Sequence, residues 1–362
     1  MKLIKTTEAV GQVLCHDITQ IIPGVKKDAV FRKGHIITKE DIPVLLSVGK
    51  DTIYIWENDE TMMHENEAAE VLYRMSACGT KKIEADTQSG VSYGTVSKMH
   101  PSPVKEGKIE VIADCDGLLK VDSKKLKKVN SFGELMIATR HGNTTVKKGD
   151  KLAGTRIIPL VIKKDKLKEA SNICEDGSIL DIKPFVVRKA AIITTGNEVY
   201  HGRIQDAFTP VIEKKIAEFG AQMMFHEVFD DDDKKITDGC LRAIEAGAEI
   251  VFCTGGMSVD PDDKTPLAIK NTGARIVSYG SPVLPGAMFL LSYYDAGDRL
   301  VPICGLPGCA MYNKRTIFDI VLPRLMACDM ILADELAGLG EGGLCLNCDV
   351  CTFPNCGFGK GF

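Results

Sequence analysis

The sequence lacks any run of eighteen apolar residues, the length that a helix needs to span a membrane. Its first residues, MKLIKTTE, contain neither an apolar signal core nor a cleavage site, so we expect a cytoplasmic protein without a membrane partner. No Walker lysine loop is present, which argues against the ordinary nucleotide-binding folds. A net charge of −4 and a pI near 6.0 disfavour a nucleic-acid-binding face.

The chain of 362 residues is too long for one ordinary domain, and its 44% apolar and 26% charged residues are typical of a globular protein. We expect an α+β region over 1–80 and a strand-rich accessory domain over 81–180. An α/β domain over 186–330 and a glycine-rich tether with a cysteine tail over 331–362 would follow.

In the first half, Thr38 is a candidate N-cap and Gly49 a candidate helix end, which predicts a helix between them. A strand over 51–56 is expected next. A further strand is predicted over 157–162. His64 and Glu65 have no second histidine at metal-binding spacing, so we expect them at the surface.

From Val186 onward, apolar runs alternate regularly with helical patterns. Such strand–helix repeats predict a three-layer, doubly wound and mostly parallel sheet. The expected strands are 189–196, 223–229, 249–253, 274–277, 287–293 and 300–304; the expected helices are 209–220, 234–246, 265–271 and 309–327.

Three loops that leave predicted strands carry glycine, hydroxyl and carboxylate side chains. Their sequences are TTGNEV from Thr194, TGGMSV from Thr254 and GLPG from Gly305. Ligands of parallel sheets bind at the carboxyl ends of strands, and glycines permit close backbone approach to an anion. Carboxylates suited to a divalent ion lie in or near the loops: Glu198, Asp206, Asp260, Asp262 and Asp263. A tight turn with solvated aspartates is the alternative interpretation of the TGGMSV loop.

These motifs, in this order, resemble the molybdopterin-binding domain of molybdenum-cofactor biosynthesis proteins over residues 186–330. Residues 1–165 more loosely resemble the accessory region of molybdopterin molybdenumtransferases, chiefly through GHIITKEDIPVLLSVGKDTIYI. The resemblance implies binding of molybdopterin or its adenylylated form, with insertion of molybdate in the presence of Mg²⁺, by a homodimer that passes its product to a recipient molybdoenzyme.

The resemblance also implies roles for individual residues. Glu198, Asp206 and Asp263 would handle the metal and the oxyanion as catalytic residues. The pterin phosphate would lie against the three loops, in contact with Thr194, Thr195, Gly196, Thr254, Gly255, Gly256, Ser258, Gly305, Pro307 and Gly308.

The chain departs from the family pattern at three places. The Asp-Gly-Tyr-Ala motif is missing, the Lys-Pro-Gly-Lys-Pro loop reads Pro-Val-Leu-Pro-Gly-Ala over 282–287, and Cys-Ala follows the GLPG motif. Lys264, Arg203, Arg140 and Lys314 are the candidates to replace the missing cations. Two alternatives stay open: a non-catalytic cofactor carrier and a nucleotide pyrophosphohydrolase on the same fold.

Thirteen cysteines are present, of which nine are scattered and indicate reduced thiols in a chain without a leader. The last four, Cys345, Cys348, Cys351 and Cys356, form the pattern C-x2-C-x2-C-x4-C. Four thiolates at this spacing predict a metal site, with Zn²⁺ and an iron–sulfur cluster equally favoured. The glycine-rich segment 336–343 is predicted to be a mobile tether.

Overall fold

The computed structural model describes residues 2–22, 26–55, 59–78, 98–258, 260 and 263–361, without the side chains of residues 21, 22, 26 and 27. The chain divides into two compact units. Unit 1 contains residues 1–114, 121–140 and 149–181, and unit 2 contains residues 115–120, 141–148 and 182–362.

The elements of the first half are short strands with four helices. In chain order they are β1 Lys2–Lys5, β2 Ile18–Ile22, β3 Lys26–Phe31, α1 Asp41–Ser47, β4 Thr52–Ile55, β5 Met62–His64, α2 Glu65–Ala77, β6 Met99–Pro101, β7 Lys108–Ala113, β8 Gly117–Val121, α3 Ser123–Asn130, β9 Leu135–Thr139, β10 Thr144–Val146, β11 Lys151–Ile157, β12 Val161–Lys163, α4 Lys164–Asn172 and β13 Leu180–Lys183. A 3-10 turn, Thr6–Glu8, follows β1.

The second half alternates strands and helices. In chain order its elements are β14 Lys189–Thr195, α5 Asn197–Tyr200, α6 Phe208–Ala217, β15 Gln222–Phe229, α7 Asp233–Glu245, β16 Ile250–Thr254, α8 Thr265–Asn271, β17 Arg275–Tyr279, β18 Leu290–Asp295, β19 Leu300–Leu306, α9 Ile317–Met326 and α10 Ala333–Gly338, with a 3-10 turn at Gly308–Ala310.

Unit 1 contains a four-stranded sheet in the order β6-β7-β11-β9. Helix α2 packs on β7 and β11, and its buried face includes Leu72 and Met75. A separate apolar cluster near the amino terminus is built around Leu14, Leu45 and Ile53. The first half is therefore strand-rich and mixed, as predicted.

Unit 2 is built on a six-stranded sheet in the order β15-β14-β16-β19-β18-β17. The first four strands are parallel, and β18 and β17 are added antiparallel at one edge. Helices α6 and α9 bury one face through Ile212 and Phe318, while α7 and α8 bury the other through Ile236 and Ile269. The predicted three-layer, mostly parallel fold is confirmed. The sequence indicated it because strands that are covered on both faces are apolar along their whole length.

The strand order reverses between β14 and β16, since the chain passes from β14 outward to β15 and then returns to the other side of β14. Such a reversal opens a crevice at the carboxyl ends of the two strands, where ligands of this class of sheet bind. The loops after Thr195 and after Thr254 border this crevice.

Three local predictions were wrong. The strand predicted over 157–162 is interrupted between β11 and β12, because Pro159 has no N–H group to pair and Ile158 is 64% exposed. Helix α9 begins at Ile317 instead of residue 309, because Thr316 and Asp319 form a capping box there. His64 is buried, and it caps α2 by accepting the amide proton of Asn66.

Glu65 is also buried, although the sequence predicted an exposed residue. Burial raises the pKa of this carboxyl, since the charged form loses hydration.

The carboxyl-terminal segment packs on the α/β domain. The amide of Leu284 donates to the carbonyl of Gly343, and the amide of Cys345 donates back to Leu284, at 2.8 Å each. Phe358 is buried in the same apolar cluster as Phe318. The predicted tether is therefore partly helical, as α10, and is anchored at both ends.

In the part of the chain that the structure describes, every helix is too short or too polar to cross a membrane.

A buried ion network stabilises unit 2 around Asp329, whose side chain is 6% exposed. Its oxygens lie 2.8 Å from Lys120 Nζ, 2.6 Å from Lys183 Nζ and 2.6 Å from Arg324 Nε. Burial alone would raise the pKa of Asp329, but the hydrogen bonds from the two lysines and the charge of Arg324 lower it to about 2.

We expect Asp329→Asn to lower the free energy of unfolding by about 3 kcal/mol, because it leaves cations partly buried without a counter-charge. The folded-state pKa is depressed, so the contribution is fully present above about pH 4 and is lost as the pH falls towards 2. Chemical denaturation between pH 2 and 7 measures both effects. Asp298→Asn, at the exposed pair with Arg299, is the control, and an equal loss in both variants would contradict the prediction.

Candidate functional site

The three strands that lead into the predicted loops, β14, β16 and β19, are neighbours in the sheet. Thr194 pairs in register with Thr254, and Thr254 pairs with Leu306. The segments that follow β14, β16 and β19 therefore leave the same edge of the sheet next to one another. The structure brings together Thr195, Gly255 and Pro307 without any long side chain having to reach across.

The turn after β16 depends on two consecutive glycines. Gly255 has φ +82° and Gly256 has φ +55°, a region that favours glycine. A Cβ at Gly255 would overlap the carbonyl oxygen of Thr195, and one at Gly256 would lie 2.8 Å from Thr265 Oγ1. Backbone therefore packs against backbone here, and larger residues are excluded.

Hydroxyl groups join this turn to the neighbouring loop. Thr195 Oγ1 donates to the carbonyl of Thr254 at 3.2 Å and lies 3.0 Å from Thr265 Oγ1. Thr265 Oγ1 in turn donates to the carbonyl of Gly255 at 2.9 Å. Thr195 is thus engaged in holding the turn together.

Thr254 stands out because its hydroxyl is unsatisfied. The side chain is completely buried, and Oγ1 has no hydrogen-bond partner among the described residues. A buried hydroxyl without a partner costs about 1–3 kcal/mol, so a bound group that pairs with it would recover that cost.

The GLPG loop is fixed by close packing. A Cβ on Gly305 would lie 2.5 Å from Met257 Cε, so the end of β19 packs directly against the loop after β16. At Gly308, by contrast, an added Cβ would meet nothing within 4 Å. Gly308 opens the 3-10 turn that follows Pro307.

Asp206 is fully engaged in capping helix α6. Oδ1 accepts the amide protons of Phe208 at 2.8 Å and Thr209 at 3.1 Å, while Oδ2 accepts from Thr194 Oγ1 at 2.9 Å and Thr209 Oγ1 at 2.6 Å. His226 Nε2 lies 3.5 Å from Oδ2. Burial alone would raise the pKa of Asp206, but these hydrogen bonds hold it below its usual value. The carboxylate links β14 to α6 and has little capacity left for a metal ion.

We expect Asp206→Ala to lower the free energy of unfolding by about 2 kcal/mol, because the cap and two hydroxyl partners are lost together. The depressed pKa means that this contribution is lost as the pH falls below about 4. Urea denaturation of the variant beside Asp238→Ala, at an exposed position of α7, measures the difference. Equal midpoints would show that the cap contributes nothing.

Carboxylates from three loops interact at this edge of the sheet. Asp231, after β15, accepts the amide proton of Asn197 at 3.2 Å. Burial, and then the charges of Glu198, Asp263 and Asp230, raise the pKa of Asp231. A cation bound near Asp231 would stabilise its charged form and those of the neighbouring carboxylates.

Asp263 also shapes the TGGMSV loop, since its Oδ2 accepts the amide proton of Ser258 at 2.6 Å. Glu198 is exposed, and the carbonyl of Asp260 accepts the amide proton of Asp263 at 3.0 Å. Asp262 lies outside the described residues.

The four candidate cations are distributed unevenly. Lys264 is the residue before α8, close to the carboxylates, and Arg203 is exposed in the loop that leads to α6. Lys314 donates to the carbonyl of Asp349 at 3.2 Å, beside the tail cysteines. Arg140, in unit 1, is paired with Asp150 at 2.9 Å.

The four tail cysteines line a single cavity of about 360 Å³. Within the described ranges, no three His, Cys, Asp or Glu residues form a group arranged to hold one metal ion.

Several residues of this site were missed by the sequence interpretation: Thr209, His226, Asp231, Thr265 and Tyr279. Thr209 and Thr265 are each followed by proline at a helix start, a shared signal that could have identified them. Tyr279 is brought to the site by antiparallel pairing, and its hydroxyl donates to the carbonyl of Met257 at 3.3 Å. No local sequence pattern predicts the contact between Tyr279 and Met257.

Comparison with known proteins identifies two regions. Residues 191–327 match a family described as "Probable molybdopterin binding domain", and residues 3–57 match a domain of unknown function (DUF8806). Among curated proteins, a putative competence-damage inducible protein of Bacillus velezensis is 29% identical over 90 residues, covering 25% of this chain and 21% of that protein. A protein of the same name from Bacillus cereus is 32% identical over 129 residues, or 36% and 30% of the two chains. The chain thus spans well under half the length of these relatives.

Solved structures match a similar share of the chain. The tungsten cofactor synthesizing protein MoaB from Pyrococcus furiosus is 18% identical, with a TM-score of 0.30, over 39% of this chain and 88% of that one. The molybdopterin biosynthesis enzyme MoaB from Thermus thermophilus is 19% identical, with a TM-score of 0.31, over 38% and 91%. The match to the family described as "Probable molybdopterin binding domain" thus covers residues 191–327, the part of the chain that contains the three loops.

Proposed function

We propose that the chain binds molybdopterin at the crevice between β14 and β16, and that it acts in molybdenum cofactor biosynthesis. The observation that carries the proposal is the Gly255–Gly256 turn, with the unpaired hydroxyl of Thr254 buried directly before it. A glycine turn at the carboxyl end of a parallel strand, with an unpaired hydroxyl beside it, suits a phosphate group. The family match over 191–327 supports the pterin as the remainder of the ligand.

Glu198, Asp231 and Asp263 are the residues that would hold Mg²⁺. They come from three separate segments of the chain, and burial together with the nearby negative charges raises the pKa of Asp231. Bound Mg²⁺ would neutralise these charges and those of a phosphate or oxyanion ligand. Asp231 replaces Asp206 in this set, because both oxygens of Asp206 are occupied by the α6 cap.

The reaction we propose is insertion of molybdate into molybdopterin, most simply from its adenylylated form. Molybdate is anionic, so its approach requires a cation near the carboxylates. Lys264 and Arg203 are the candidates in unit 2 on either side of the crevice.

We further propose that a recipient molybdoenzyme docks on the tail. The side chains of Leu346 and Val350 in the tail are each 78% exposed. Tyr312 is 76% exposed and borders the cavity that the four tail cysteines line. Exposed apolar side chains grouped in this way are typical of protein interaction sites. A homodimer in the cytoplasm is the assembly and place that the family resemblance implies.

The proposal is tested by titrating purified protein with molybdopterin and then measuring release of finished cofactor on addition of molybdate and Mg²⁺. Binding followed by molybdate-dependent release supports insertion, whereas binding without turnover indicates a carrier. Absence of pterin affinity would refute the proposal. Hydrolysis of pyrophosphate-containing nucleotides, assayed in parallel, would instead identify a hydrolase.

A further inference from the structure

We infer that the carboxyl-terminal segment 344–358 encloses an iron–sulfur cluster ligated by Cys345, Cys348, Cys351 and Cys356. The inference concerns a second site of unit 2 and does not depend on the proposed pterin binding.

All four cysteines border one cavity of about 360 Å³. The rest of its wall includes Lys314, Arg315 and Phe353. The nine other cysteines lie elsewhere in the chain, many of them buried in apolar packing, such as Cys253 and Cys304. The arrangement of thiols around a shared space is therefore specific to the tail.

The segment is closed into a loop by contacts between its ends. The amide of Gly359 donates to the carbonyl of Gly342 at 3.0 Å, and the amide of Cys345 donates to Leu284 at 2.8 Å. A Cβ on Gly342 would lie 2.7 Å from the carbonyl oxygen of Gly357, so the two strands of chain touch there. The loop ends are thus held in place by the domain.

Several apolar side chains of the segment 344–358 are exposed and contribute little to its stability. Leu344, Leu346 and Val350 are 63%, 78% and 78% exposed. A segment this short cannot form an apolar core, and small folds of this kind are usually cross-linked by a metal or by disulfides. The cysteines here are free, which leaves a metal centre as the cross-link.

The arrangement of the cysteines favours a cluster over one zinc ion. A structural zinc site is closed, with four ligands about 2.0–2.3 Å from the metal and no space left between them. Within the described residues no three of these thiols converge as one zinc ion requires, while all four border the same cavity, an arrangement that fits a polynuclear centre. The spacing agrees, because the first three cysteines repeat the C-x2-C-x2-C run of bacterial ferredoxins, with the last gap longer by one residue.

Cations at the cavity complement the charge of a thiolate-ligated cluster. Arg315 lies in the cavity wall with Cys351, and its guanidinium stacks 5.1 Å from the centre of the Phe353 ring. Asp319 fixes the same guanidinium through Nη1 at 2.9 Å. Positive charge and hydrogen-bond donors close to ligand sulfur help to set the stability and the potential of clusters.

The test is to purify the full chain without oxygen and to determine iron, acid-labile sulfide and zinc per chain, with absorption and EPR spectra of the reduced protein. We expect about four iron and four sulfide per chain, with charge-transfer absorption near 400 nm that is typical of such clusters. One zinc without sulfide, or no bound metal after reconstitution with iron and sulfide, would overturn the inference.

Variants then locate the ligands. Cys348→Ser and Cys351→Ser should each lose most of the iron, whereas Cys328→Ser, an exposed thiol outside the loop, should retain it. Arg315→Lys should keep the cluster but shift its EPR signal or its reduction potential. Full iron content in both ligand variants would refute the assignment. Because pterin titration is measured separately, failure of the cluster and failure of the proposed function give different results.

Discussion

Replacement of Gly255 by alanine is expected to weaken molybdopterin binding by about 100-fold or more. The new Cβ would overlap the carbonyl oxygen of Thr195, so either the turn or β14 has to move. The backbone at φ +82° is also strained for any L side chain. Because positioned groups lose about two orders of magnitude when displaced by about 1 Å, we expect the phosphate subsite to be lost. Fluorescence or calorimetric titration with the pterin measures the change.

Gly297→Ala is the matched control for this variant. Gly297 also has positive φ, at +89°, but an added Cβ meets nothing within 4 Å, and its hairpin joins β18 to β19 at the opposite end of the sheet. It therefore reports backbone strain alone. Unchanged affinity in Gly255→Ala, with the fold intact, would show that the phosphate lies elsewhere.

A second variant separates binding from folding at the same loop. Thr254→Val removes the unpaired hydroxyl while keeping the side-chain volume, so we expect unchanged or higher stability. Pterin affinity should nevertheless fall by about 10-fold, the value of one hydrogen bond to a charged group. If affinity is unchanged, the hydroxyl does not contact the ligand.

Neutralising the carboxylates is expected to abolish turnover while leaving pterin binding in place. Glu198→Gln and Asp263→Asn should each reduce Mg²⁺-dependent cofactor release by about 100-fold, because a metal ligand is lost with little change in shape. The side-chain carbonyl oxygen that remains after Asp263→Asn can still accept from the Ser258 N–H, so the loop should keep its conformation. Affinity for the pterin without Mg²⁺ should be equal or greater, since negative charge near the phosphate has been removed.

Release of cofactor at several Mg²⁺ concentrations, and at pH values from 5 to 8, checks this prediction. Since the pKa of Asp231 is raised, Mg²⁺ affinity should decrease as the pH falls and its carboxylate becomes protonated. Glu245→Gln, exposed at the far end of α7, is the control. Equal activity of Glu198→Gln and Glu245→Gln would exclude Glu198 from the site.

The sequence was sufficient for the α/β domain because its signals are local and redundant. Strands such as Ile250–Thr254 are buried on both faces and therefore read as unbroken apolar runs. The three glycine loops were predictable for the same reason, since each begins at the end of such a strand.

What the sequence did not predict depends on contacts between distant residues. Aspartate is a common metal ligand, so the sequence suggested that Asp206 binds metal. In the structure its carboxylate oxygens instead accept hydrogen bonds from amides of α6 and from the hydroxyl of Thr194. The sequence did not single out Asp231, because its electrostatic link to Asp263 arises from the folding of separate loops. The early start predicted for α9 has a different cause, because the capping box at Thr316 is decisive but weaker in sequence than the apolar periodicity around it.

Because the tail is hydrogen-bonded to Leu284, the α/β domain includes the carboxyl-terminal segment. The amide and carbonyl of Leu284 are both used by Gly343 and Cys345, in the loop where the related family carries its two lysines. A fragment that ends after α9 or α10 would leave these groups unpaired and would uncover the apolar surface beneath Phe358. For expression or for transplantation into another protein, the α/β domain should therefore extend to residue 361, and a version trimmed to the family match is expected to aggregate.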